Sequence, residues 1–237
     1  MKKFIAFIAI FGVIMHAGAM TKTKINIPDQ KIHIQAGKVG SKSGVSTPIS
    51  LGKTVSKASL SYDLMMEDNF DCKLRNGKKL TGKFPGLSGG RKPNTGGIPD
   101  YKDLNRGWSV RPIYRGYGCK LMLYIYDMDM PPPSRPGKDT FGKNERLNIK
   151  SISLKPGQSY RIKLEVIVND IGKDNGIARL WVDNELAAEY SDITYRMNYP
   201  GNGAIDTVRY SVFNGGGKKF KLEKDTSISI RNVVVDY

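Results

Sequence analysis

Histidine is almost missing from this chain of 237 residues: there are two, His16 and His33. Ser-His-Asp or Cys-His nucleophilic catalysis therefore has almost no base to draw on. A zinc site of the usual His/Cys type lacks ligands for the same reason, so neither metal nor cofactor is expected. Cysteine is equally sparse, with only Cys72 and Cys119. An even pair permits one disulfide in an oxidising compartment, and two buried thiols remain the alternative. Acidic residues are outnumbered: Asp and Glu total 22 against 38 Lys and Arg, for a formal charge of +16. No Gly-rich loop stands between a strand and a helix, so phosphate-cradling motifs are absent.

Long apolar runs are missing too, with one exception. Met1-Lys-Lys3 is basic, Phe4 to Met15 is apolar, and Ala17-Gly-Ala19 has the small-x-small form of a cleavage site. This is the pattern of a secretory signal peptide over residues 1–19. The run is well short of the roughly 20 residues that span a bilayer. Cleavage would leave a secreted or periplasmic protein with His33 as its one histidine, placed in the N-terminal arm as a surface or structural residue. It would keep a charge of about +14 after loss of Lys2 and Lys3. Such an excess points to a polyanionic partner. No RNP, helix-turn-helix or zinc-finger pattern supports nucleic acid, so an extracellular acidic polysaccharide fits better.

The remaining pattern has a period of two. Ser59 to Met65, Leu121 to Tyr126, Arg161 to Val168, Arg179 to Val182, Thr207 to Phe213 and Ser227 to Val235 read as strands. Turn signals such as Asn76-Gly77, Pro156-Gly157 and Asp174-Asn-Gly176 separate them. An all-β sandwich or jelly roll follows, as one domain over 59–237 with an N-terminal strand or arm and loop over 20–58. Only Glu185-Leu-Ala-Ala-Glu189 hints at a helical turn. Gly86 to Gly107 and Pro131 to Gly137 read as long loops flanking a cleft.

Three short segments carry the chemistry. Lys83 opens Lys83-Phe-Pro-Gly-Leu87, Arg111 closes Ser109-Val-Arg111, and two phenols stand in Tyr124-Ile-Tyr126. Residues i and i+2 of a strand share a face. Ser109 with Arg111 and Tyr124 with Tyr126 should therefore line one surface, while Val110, Leu123 and Ile125 turn to the core. Each segment alone could be ordinary packing or a turn. Together they suit β-elimination on a uronate: Arg neutralises the sugar carboxylate, which acidifies the C5 proton, and Tyr or Lys moves protons. Cations beside the tyrosines should favour a phenolate, which predicts an alkaline optimum. The rival is a glycosidase using Asp127 and Asp129, two apart after the Tyr pair. Trp108 reads as core, and Tyr114 as a residue that could stack on sugars.

In that order and at similar separations, the three segments resemble polysaccharide lyase family 14, the alginate and glucuronate lyases with a β-jelly-roll fold. Asn169 to Asn184, which carries Trp181-Val-Asp183, resembles a family hairpin, and Val212-Phe-Asn-Gly-Gly-Gly217 and Ile230 to Val235 resemble its last strands. The resemblance implies a lyase site of Lys83, Ser109, Arg111, Tyr124 and Tyr126. Lys83, Tyr124 and Tyr126 would be catalytic, and Arg111 and Ser109 would bind substrate. Trp108, Pro112 and Asn214 depart from the pattern. The expected protein is a monomeric, secreted lyase of an acidic polysaccharide such as alginate or glucuronan, with no nucleic-acid or membrane partner. A non-catalytic carbohydrate-binding module on the same fold is the alternative. A basic adhesin held by charge alone is a third.

Overall fold

Alternating apolar residues need a second layer to bury them, and here two sheets supply it to each other. The structure, a computed structural model, describes residues 24–72, 80–90, 107–130, 132, 138–197 and 203–237. Residues 1–19, read as a signal peptide, lie outside them. Within them run β1 (Lys24–Ile27), β2 (Gln30–Ile34), β3 (Val45–Val55), β4 (Lys57–Met66), β5 (Thr81–Lys83), β6 (Gly86–Gly89) and β7 (Trp108–Arg115). Then follow β8 (Lys120–Tyr126), β9 (Lys143–Arg146), β10 (Ser159–Ile167), β11 (Gly176–Val182), β12 (Glu185–Ile193), β13 (Ile205–Asn214) and β14 (Thr226–Asp236).

These form two seven-stranded sheets. One runs β1-β14-β4-β10-β11-β12 with β2 also on β14; the other runs β3-β13-β5-β7-β8-β9 with β6 between β13 and β7. The pairings are antiparallel, and the chain passes repeatedly between the sheets, making a jelly-roll sandwich. Ile162, Leu164 and Val166 of β10 are fully buried against Leu87, Val110, Leu123 and Val208 of the facing sheet. Each such side chain contributes roughly 1.5–3 kcal/mol by leaving water.

Two expectations change. The stretch read as arm and loop holds an eleven-residue strand, β3, at the edge of the second sheet. Its Pro48 and largely polar residues are what an exposed edge tolerates, and they hide the strand from a periodicity search. Glu185 to Glu189 is not helical but begins β12, paired with β11. Asp183 and Asn184 take positive φ of 52° and 67°, giving the two-residue hairpin turn whose twist suits antiparallel strands. Ladder pairing then outweighs the weak helical preference of Leu-Ala-Ala.

Cys72 and Cys119 are joined by a disulfide, with Cα atoms 5.1 Å apart. It ties the chain beyond β4 to the turn between β7 and β8. Among the described residues no helix is long and apolar enough to cross a membrane.

Candidate active site

The outer face of the second sheet is assembled by register. Ser109 stands opposite Tyr126 and Arg111 opposite Tyr124 across β7 and β8. The intervening Val110, Leu123 and Ile125 enter the main core, while Tyr124 and Tyr126 pack outside it with Ile113 and Met130. Lys83, at the end of β5, pairs with Ile113 and so projects from the same outer face.

The Lys83-Phe-Pro-Gly-Leu87 segment is not a turn. It is two short strands, β5 and β6, parted at Phe84-Pro85 and lying in one lane beside β7. Pro112 explains the gap. Its carbonyl accepts from Phe84 N at 3.0 Å, so its nitrogen faces the same lane, and the break spares the ladder an amide that proline lacks. β6 then resumes with Gly86. A Cβ there would fall 2.2 Å from Val110 O and 2.6 Å from Arg111 Cγ. Gly86 is thus a site residue that composition alone missed; a glycine inside a strand is the signal that could have found it.

All five candidate residues are buried, Lys83 being the most accessible at 9%. The Lys83 ammonium nitrogen sits 3.3 Å from the centroid of the Tyr124 ring. The Tyr124 and Tyr126 hydroxyls are hydrogen-bonded at 3.1 Å, either donating, with rings edge-to-face. The Arg111 guanidinium carbon lies 5.8 Å and 6.0 Å from the two ring centroids.

Protonation follows from this crowding. Burial holds the Lys83 amine well below the usual lysine range, and the Arg111 and Arg115 charges push the same way. The face of Tyr124 favours the ammonium by roughly 2 kcal/mol at most. That is less than the cost of keeping an ammonium out of water beside two guanidiniums. Burial also lowers Arg111 to about 10, against the pull of Tyr126 and Tyr124, so it remains cationic at neutral pH. Tyr126 moves the other way: burial, then its neighbour Tyr124, raise it well above the ordinary phenol value, and Arg111 and the Gly142 amide offset only part. The expected phenolate is therefore overturned for Tyr126, which stays a neutral proton donor. The arrangement is an amine of lowered basicity, a fixed cation and a coupled pair of hydroxyls on one surface.

The glycosidase rival loses its parts. The outward positions of β5 to β9 carry no Asp or Glu. Asp127 is buried and pairs with Lys143 at 2.6 Å, while one of its oxygens accepts from the Asp129 amide at 3.2 Å. Asp129 itself is exposed. Neither Trp108 nor Tyr114 lies on the site face. Trp108 is core, donating from Nε1 to Gly203 O at 2.5 Å and packing 4.5 Å from the Tyr195 ring. Tyr114, expected as a stacking candidate, is also core: it sits between Phe70 and Phe84 and donates to Asn214 Oδ1 at 3.4 Å. His33 lies on β2, 3.4 Å from Asp225. Of the two expected cleft loops, the first is wrong at its start, where Gly86–Gly89 is β6, and 91–106, 131 and 133–137 lie outside the described residues.

Similar folds are known. The chain matches a double mutant of the alginate lyase Aly36B in complex with an alginate tetrasaccharide, at TM-score 0.69 and 18% identity over 87% of this chain and 80% of that one. It matches the PL-14 alginate lyase of Aplysia kurodai at 0.63 and 22% over 87% and 82%, and alginate lyase vAL-1 from Chlorella virus at 0.65 and 16% over 91% and 88%. A sequence comparison with curated proteins finds no match. The fold likenesses are too distant to carry more than the architecture. The sequence model described as polysaccharide lyase 14, however, matches residues 17–233, nearly the whole chain. With the sandwich and the three motif segments on one face, this makes the protein a polysaccharide lyase that belongs to family 14.

Proposed function

We propose that this lyase is secreted and cleaves a uronic-acid polysaccharide, alginate first among them, by β-elimination. Arg111, with Ser109, holds the uronate carboxylate, and its charge stabilises the enolate that forms when C5 loses its proton. Lys83 removes that proton as a neutral amine. The Tyr124–Tyr126 pair delivers a proton to the departing glycosidic oxygen, leaving a double bond between C4 and C5. The observation that carries this reading is Lys83: a buried amine with lowered basicity, 3.3 Å from the ring of the coupled tyrosine. The basic composition and the alginate lyases of like fold support the substrate class. Residues 1–19 support export, and the pairing of β1 to β3 with the body supports one domain that includes the arm.

The test is ultraviolet absorbance of the protein without residues 1–19, mixed with alginate, glucuronan or hyaluronan. Rising absorbance reports the conjugated product and names the polymer. New reducing ends without absorbance would mean hydrolysis and sink the mechanism. Full activity in Lys83→Ala would sink the assignment of the base.

A further inference from the structure

The outer face continues beyond the five candidate residues, onto β6 and β13. Arg209 of β13 pairs with Gly86 of β6, and Gly86 abuts Arg111 of β7, so the two arginines lie in one lateral row with only a glycine between them. Strands are spaced by about 4.8 Å, which sets the two Cα atoms roughly 10 Å apart. Arg209 is half-buried, and its Nε is buried without a hydrogen-bond partner. In the next row Ser88, fully buried, stands between Thr207 and Ser109, and its hydroxyl has no partner either. Two orphaned donors thus lie in adjacent rows on the flank of the site, where burial without a bond carries a real cost. Among the described residues the Asp206 charge also acts on Arg209, but its oxygens accept hydrogen bonds elsewhere, from Gly90 N at 3.2 Å and from the Thr207 hydroxyl at 2.6 Å.

We infer that Arg209 and Ser88 form a second carboxylate subsite, which holds a uronate two sugars away from the one gripped by Arg111. In an extended 1,4-linked chain alternate rings are turned over, so carboxylates facing one surface recur at every second sugar. That recurrence matches two strand spacings. The polymer then lies across the strands, along the row Arg209, Gly86, Arg111, Tyr124. Gly86 is the floor that lets the chain pass between the two guanidiniums. Arginine suits the task because its fork takes both carboxylate oxygens.

This rests on the uronate reading of the site, and the experiment separates the two. Alginate oligosaccharides from disaccharide to hexasaccharide are titrated calorimetrically into Lys83→Met at fixed salt. Affinity should rise about tenfold, which is 1.4 kcal/mol, at the first length that spans both arginines. Arg209→Gln in the same background should abolish that rise while leaving the shorter oligomers unchanged. Arg209→Lys, which keeps the charge but not the fork, should retain part of it. A rise that persists in Arg209→Gln, or a loss equal at all lengths, overturns the subsite. Wild-type protein is assayed on the same oligomers for unsaturated product. Cleavage without an Arg209-dependent rise overturns the subsite alone. An Arg209-dependent rise without unsaturated product overturns the elimination chemistry and leaves the subsite standing. No binding at any length overturns both.

Discussion

At the scale of single residues, Lys83 is where stability and function oppose each other. Its amine is less basic in the folded chain than in the unfolded one, whose value is near 10.5. Between those two values the unfolded chain holds a proton that the folded chain has released, so stability rises with pH through that window. Below it, the full cost of the buried amine is present. Lys83→Met should therefore raise Tm at acidic and neutral pH, with a gain that fades as pH approaches the unfolded value. The same variant should lose about 10²–10⁴ in kcat, the usual worth of a positioned base. Thermal melts across pH and single-turnover absorbance check the two halves. The pH profile of kcat/KM should fall on its acid side as Lys83 is protonated. Arg111 keeps its charge across the working range, because a guanidinium is not deprotonated in proteins. An acid limb unchanged in the residual activity of Lys83→Ala would remove Lys83 from the role of base.

At the scale of elements, the site depends on a broken strand. β5 and β6 share one lane, and the gap between them meets Pro112 where no amide is available. Gly86 then leaves the space that the Arg111 side chain occupies. Gly86→Ala should cost roughly 1–3 kcal/mol in stability as the Cβ forces its neighbours apart. Displacement of Arg111 should cost about 10²-fold in kcat/KM. Chemical denaturation and steady-state kinetics would measure both, and an unchanged kcat/KM would show that Arg111 does not need this floor. The alternation of β7 and β8 was legible because period two alone assigns faces: Ser109, Arg111, Tyr124 and Tyr126 point outward and Val110 and Ile125 inward. β3 and β12 were not legible. An edge strand tolerates polar residues and proline, and a Leu-Ala-Ala stretch becomes a strand only when its hairpin partner is present.

At the scale of the whole molecule, charge and cross-linking act together. The disulfide closes a separation of 47 residues around β5, β6 and β7, which carry Lys83, Ser109 and Arg111. The chain-entropy account puts its contribution at about 4 kcal/mol. Cys72→Ser combined with Cys119→Ser should thus lower Tm by roughly 8–16 °C at this size. A melt of the double variant under non-reducing conditions tests it. The excess of about 14 positive charges that remains without Lys2 and Lys3 should draw polymeric substrate to the surface. Raising salt should lower kcat/KM on polymer more than on a short oligomer, because charges beyond about 10 Å are screened at 0.1 M.

The sequence by itself determined the sandwich, the cationic surface and the presence of Lys83, Arg111 and the two tyrosines on one chemical theme. Periodicity and composition are local properties, and they survive without knowledge of neighbours. Tertiary structure alone decided which way the basicity of Lys83 and the acidity of Tyr126 shift, because burial, which no local pattern encodes, is the largest cause of each. It also decided that Tyr114 is core and that Gly86 is part of the site. And it brought Arg209 into the same row as Arg111, across almost one hundred residues of chain, through strand pairing that no local pattern encodes.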